Sequence, residues 1–173
     1  MKKRCEWAKD EPNTTYHDNE WGIPIHDDVI LFEFLILEGA QAGLSWSTIL
    51  NRRNGYRIAF SNFDVVAVSK YTQNHVKKLV QNKDIIRNKL KINSAINNAK
   101  QFIKIQKEFG SFDAYLWSFV NHKPIKNKFK KHSDLPAYTV ISEKLSQDLK
   151  KHGFTFVGPI ICYALMQAVG MVN

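Results

Sequence analysis

The chain has 173 residues, of which 44% are hydrophobic and 24% charged, the balance of an ordinary globular protein and not of a disordered, collagen-like or membrane-embedded one. No stretch approaches the ~20 apolar residues that a spanning helix needs, so no membrane partner is expected. Lys and Arg number 25 against 16 Asp and Glu, a net charge of +9, and an excess of that size favours a polyanionic partner, nucleic acid ahead of a membrane surface.

The basic start MKKRCEWAKDEP has no apolar run behind it and is not a secretory signal. Cys5 and Cys162 do not make a disulfide framework, so a cytoplasmic, reducing location is expected. Trp7, Tyr16 and Trp21 stand in a segment with few aliphatic residues. They suit either stacking on a flat ligand or packing over a hydrophobic edge.

Helical periodicity dominates the rest of the chain. Val29 to Leu37 is nearly all apolar, broken by Glu33, with Asp27 or Asp28 placed as N-cap and Gly43 as stop. Ser45 caps a helix carrying Trp46, Ile49, Leu50, Tyr56 and Phe60. Asp64 opens a short helix, and Thr72 another with Val76, Leu79 and Val80 on one face. The clearest 3.6-residue stripe is Ile92, Ala95, Ile96, Ala99, Phe102 and Ile103. A further helix starts at Ser111 or Asp113. The next, with Ile141, Leu145 and Leu149 on its face, closes at Lys150 to Gly153. Pro159 begins the last, apolar helix, and Cys162 within it reads as a buried small hydrophobe. Phe154 and Phe156 alternate too briefly for a sheet. The pattern predicts one all-α domain over residues 1–173, with no repeat and no linker. Lys123, Lys126, Lys128, Lys130 and Lys131 form an acid-free run that reads as an exposed loop, either solvated or facing a polyanion.

One carboxylate stands out. Glu38 falls four residues after Phe34 and seven after Leu31, on the apolar side of its helix. Burying it unpaired is costly, so it is either satisfied by a helix end or an arginine, or put to use. The small residues Gly39 to Gly43 follow, then Leu44 and Trp46. Cys5 and His17 are competent zinc ligands, yet a structural site wants four. Phosphate-cradling glycine loops, H-E-x-x-H, paired C-x-x-C and the G-x-S-x-G elbow are all absent.

The strings YHDNEWG (16–22), LEGAQAGLSW (37–46), IIRNKLKI (85–92), LWSFVNHKP (116–124) and GFTFVGPIICYALMQAVGMVN (153–173) resemble the 3-methyladenine DNA glycosylase I family. The resemblance implies a helix-hairpin-helix glycosylase fold. It also implies a monofunctional enzyme that extrudes N3-methyladenine from double-stranded DNA and hydrolyses its N-glycosidic bond in base excision repair. It places the base-recognising glutamate on Glu38 and the pocket aromatics on Trp7, Tyr16, Trp21 and Trp46. The turn pressed into DNA falls on Gln41 to Leu44, Gly43 included, with Leu44 as wedge. The phosphate-gripping hairpin falls around Ile86 to Leu90, with Asp84 and Leu90 at its turn. Lacking glycines there, it relies on Arg87, Lys89 and Lys91. Glu38 is expected to be anionic, holding a cationic base against Trp46. No cofactor is expected for the chemistry, and nothing suggests an obligate oligomer, so a monomer is expected. The family closes a structural zinc site with an N-terminal Cys and His and a C-terminal His and Cys. Cys5 and His17 match the first pair, and no counterpart of the second occurs by Asn173, so half a ligand set is expected.

Overall fold

The long apolar run sets the architecture. In the computed structural model, which describes residues 4–129 and 131–173, it forms α2 (Asp28–Gln41), whose residues from Leu31 to Ala40 are all buried. A helix apolar on nearly every face belongs at the centre of a bundle, and the other helices wrap it. Before it lies α1 (Asn13–Asn19), and after it α3 (Trp46–Ala59), α4 (Val65–Ser69) and α5 (Gln73–Leu79). Then come α6 (Lys89–Phe109), α7 (Phe112–Ser118), α8 (Val140–Lys151) and α9 (Pro159–Ala168). Among the described residues there is no strand, only an isolated bridge between Ile125 and Val172. One continuous cluster of buried side chains joins these helices, with Phe32, Phe34, Phe102, Phe112 and Trp117 among its largest members.

The helix starts follow the expected chemistry. Asp27 accepts hydrogen bonds from the backbone N–H groups of Val29 and Ile30, Ser45 from Thr48, Asp64 from Val66 and Ala67, and Ser111 from Ala114. Thr72 and His75 cap α5 reciprocally. The choice between Asp27 and Asp28 resolves into two jobs. Asp27 caps α2, whereas Asp28 turns away and accepts from Phe112 N–H (2.9 Å), Asp113 N–H (2.8 Å) and the Gln106 amide (2.8 Å). A carboxylate at the N-terminus of α7 satisfies its orphan donors and meets the positive end of its dipole.

Glu33, the charge inside the apolar run, is matched by two arginines of α3. Arg53 Nε lies 2.6 Å and Arg57 Nε 2.9 Å from its carboxylate, and Arg53 also reaches Glu20 at 2.6 Å. Glu33 is thus a structural anchor between α2 and α3. The segment between α8 and α9 is a pinned loop: Thr155 N–H donates to the Asn98 side chain, which donates back to Thr155 O, both at 2.9 Å. Cys162 is buried, its Sγ donating to Val157 O.

Two expectations change. Leu90 is not in a turn between helices but in the first turn of α6, 70% exposed; Asn88 caps the helix just before it, accepting from Lys91 N–H. The α5–α6 hairpin turn therefore runs over residues 80–88. It rests directly on α3, where a Cβ on Gly55 would lie 2.2 Å from Asp84 O. Lys91 is not free to meet phosphate either, since its ammonium donates to the carbonyls of Ala40 and Ala42. Lys123, Lys126, Lys128 and Lys131 are exposed in an irregular segment, and Lys130 lies outside the described residues.

Candidate active site

The aromatic-rich N-terminal segment folds back on the C-terminal half of α2. Tyr16, on α1, is buried and packs against Phe34 and Trp46, with ring centroids 6.3 and 5.5 Å away. Trp7 meets Trp21 edge-on at 5.4 Å and Tyr16 at 6.1 Å. Trp46 opens α3 immediately after the Ser45 cap. These four rings wall a cavity of about 510 Å³, and Glu38 and Gln41 of α2 line it too. A ligand-sized volume lined by aromatics and a few polar groups is the usual form of a small-molecule site.

Glu38 is only 5% exposed, and among the described residues no hydrogen bond or ion pair satisfies its carboxylate. Burial alone pushes its pKa up to about 8. In the protein by itself desolvation favours the neutral carboxyl, so the anionic form expected against a cationic base calls for the compensating charge that such a base brings. The Tyr16 hydroxyl is pushed above the usual phenol range, by burial first and then by Glu38, and so remains a donor. Both the Tyr16 hydroxyl and Trp46 Nε1 are buried without a hydrogen-bond partner among the described residues, as is the Tyr163 hydroxyl. Buried polar groups are rarely left so. Three of them on the residues of one cavity is a set of unspent hydrogen-bonding capacity.

Of the other sequence candidates, Cys5 also lines the cavity, whereas His17, Gly43, Leu44, Arg87 and Lys89 do not. Gly43 and Leu44 follow Gln41 in an exposed turn. Gly43 has φ +77° with open space around it, so the left-handed backbone, not crowding, calls for glycine there. Leu44 is 38% exposed. Arg87 and Lys89 are exposed on the α5–α6 hairpin and the start of α6. Cys5 and His17 do meet: His17 Nε2 accepts from Cys5 N–H at 3.3 Å, and its Nδ1 lies 3.0 Å from Asp18. Among the described residues no group of three or more His, Cys, Asp or Glu could hold a metal. Two of four tetrahedral donors do not make a zinc site.

The sequence reading missed two walls of the cavity. Tyr163 and Gln167 of α9 line it, as does the segment Leu135–Ala137 that comes after the lysine run. Tyr163 and Gln167 are four residues apart in an otherwise apolar helix, which was a usable signal of one functional face. Nothing local marks residues 135–137.

A basic, all-helical protein with a buried carboxyl on the floor of an aromatic cup, and an exposed apolar turn beside it, is built to receive one flat, hydrogen-bonding heterocycle from a larger polyanion. This is the class of the base-extruding DNA glycosylases. The family model "Methyladenine glycosylase" matches residues 7–173, and the chain belongs to that family. It is 45% identical over 172 residues to DNA-3-methyladenine glycosylase 1 of Escherichia coli (strain K12), covering 99% of this chain and 92% of that one. A crystal structure of 3-methyladenine DNA glycosylase I superposes with a TM-score of 0.96 at 42% identity, over 99% of this chain and 94% of the other. A Tyr→Phe variant of 3-methyladenine DNA glycosylase I in complex with 3-methyladenine gives 0.95 at 34% identity, over 98% and 92%.

Proposed function

We propose that the protein is a monofunctional DNA glycosylase that extrudes N3-methyladenine from duplex DNA and hydrolyses its N-glycosidic bond. The observation that carries this is Glu38, buried and without a partner among the described residues, in the lining of a cavity walled by Trp7, Tyr16, Trp21 and Trp46. Methylation at N3 makes adenine cationic in DNA, so the base is already a good leaving group and needs no protonation. Selectivity then rests on charge. A cation against the indole faces gains cation–π attraction, and its arrival draws the Glu38 pKa down, releasing a proton and creating a desolvated ion pair. The anion stays close as positive charge moves onto the sugar and favours departure. The described cavity lining contains no lysine, which supports water rather than a Schiff base as the nucleophile. The Tyr16 hydroxyl supplies a donor to the base.

In this reading the turn Gln41, Gly43 and Leu44 presses into the duplex, and Leu44 fills the space the base leaves, offsetting part of the few kcal/mol of extrusion. Arg87 and Lys89 hold the phosphate backbone. In this reading the protein works as a monomer, and in the cytoplasm; the compartment is supported by Cys5 and Cys162, both free thiols of the kind a reducing environment preserves. Among the described residues no helix is long and apolar enough to cross a membrane. The test is release of free base from methylated duplex DNA. Wild type is expected to release 3-methyladenine, and Glu38→Gln to lose at least about 10²-fold in rate, the scale of one preorganised electrostatic group. Lesion binding without release by wild type would reduce the protein to a damage sensor.

A further inference from the structure

Lys91 lies in the first turn of α6, four residues beyond Arg87 and directly after the hairpin. Its Nζ is 2.8 Å from the carbonyl oxygen of Ala40 and 2.6 Å from that of Ala42. These carbonyls belong to the end of α2, where the last turn has no intrahelical donors left. An ammonium there satisfies them and meets the negative end of the helix dipole. What lies on either side of the contact gives it meaning. Ala40 is two residues after Glu38, and Ala42 directly precedes Gly43 and Leu44. The turn has little else to hold it: Ala42 N–H reaches Gly39 O at 3.4 Å and Leu44 N–H reaches Gln41 O at 2.7 Å. Lys91 therefore ties the element carrying the phosphate-facing cations to the element carrying the pocket floor and the wedge.

We propose that Lys91 is a positioning residue for base extrusion, holding the Gln41–Leu44 turn in fixed register with the α5–α6 hairpin. It touches neither base nor phosphate. When Arg87 and Lys89 engage the backbone, the rigid link places Leu44 against the base stack. The aromatic walls do not depend on it, because they are carried by α1, α3 and the N-terminal segment and pack on one another. Losing the ammonium should loosen the wedge and leave the aromatic walls formed, Gln41 being the cavity residue that the turn shares. This inference rests on the glycosylase reading of the site.

The test uses the full chain and two substitutions: Lys91→Met, which keeps the stem and removes the donors, and Lys91→Arg, which restores them. Three quantities are measured. They are affinity for free 3-methyladenine by tryptophan fluorescence, single-turnover excision from methylated duplex, and the 2-aminopurine signal of a base beside the lesion. In Lys91→Met, free-base affinity is expected to stay within about twofold while excision and the extrusion signal fall by roughly tenfold or more, the scale of lost charged hydrogen bonds. Lys91→Arg should recover most of the loss. Unchanged excision in Lys91→Met would overturn the proposal, as would a parallel loss of free-base affinity, which would mean a damaged pocket. A shallower salt dependence of DNA binding in Lys91→Met would also overturn it, by making Lys91 a phosphate contact. Wild type that neither binds the base nor releases it would instead remove the glycosylase reading itself.

Discussion

Glu38 carries two consequences that can be measured separately. Its pKa is about 8 in the folded protein against an ordinary value of 4.5. Between those values the native state holds a proton that the unfolded chain has released, so stability falls as pH rises from about 4.5 to about 8. Glu38→Gln removes that penalty, and chemical denaturation should find it more stable than wild type by on the order of a few kcal/mol at pH 8, with little difference near pH 4. Activity runs the other way. If the anion is the productive form, kcat/KM reports the free enzyme and should climb about tenfold per pH unit up to about 8, then level off. The limb in kcat should sit at lower pH, since a bound cation holds the carboxylate ionised. A flat kcat/KM between pH 6 and 8 would mean that the neutral acid suffices. A group that destabilises the fold while serving a pocket is a familiar trade between stability and activity.

At the scale of elements, the contact of α3 with the hairpin is the most demanding. A methyl on Gly55 would meet Asp84 O at 2.2 Å and Asp84 C at 2.9 Å, and backbone cannot swing aside as a side chain can. Gly55→Ala should lower stability by roughly 1–3 kcal/mol in thermal unfolding. Because the displaced turn leads into Arg87 and Lys89, it should also weaken DNA binding while leaving free-base affinity intact. Normal DNA binding in a destabilised Gly55→Ala would show that the hairpin is not the gripping element. The same contrast separates what the sequence reveals from what it hides. Capping residues and apolar stripes act within a few positions, so Asp27, Ser45, Asp64, Thr72 and Pro159 announce their helices. The seven residues of α1 carry a single buried side chain, Tyr16, and have no stripe to read; tertiary packing of that ring on Phe34 and Trp46 holds the helix. Asp28 on α7, Lys91 on the end of α2 and Asn98 on Thr155 join residues 49 to 85 positions apart, beyond any local pattern. For the cavity, the aromatic excess and the misplaced Glu38 pointed to residues that line it, whereas residues 135–137 enter its wall through chain path alone.

For the molecule as a whole, the net charge of +9 needs a location to mean anything. Between Asp113 and Asp134 the chain has no acidic residue, and the strap after Pro124 exposes Lys126, Lys128 and Lys131. The strap is tied at Ile125, whose N–H donates to Met171 O at 2.8 Å and whose carbonyl accepts from Asn173 N–H. Asn127 and Asn173 add a second tie through side-chain and backbone hydrogen bonds. Ten residues beyond Ile125, the same strap enters the cavity wall at Leu135–Ala137. We expect a duplex delivering a base into that cavity to pass along the strap and to bring its phosphates to the exposed Lys126, Lys128 and Lys131. Replacing those three with Gln should flatten the dependence of log K on log salt by roughly 0.9 for each lysine that neutralises a phosphate. Affinity for free 3-methyladenine should not change, because none of the three lines the cavity. Replacing Arg87 and Lys89 should flatten the slope independently, and the two losses should add if both ends grip the backbone. An unaltered slope in the strap variant would confine DNA binding to the hairpin side and leave the lysine run as a solvated surface.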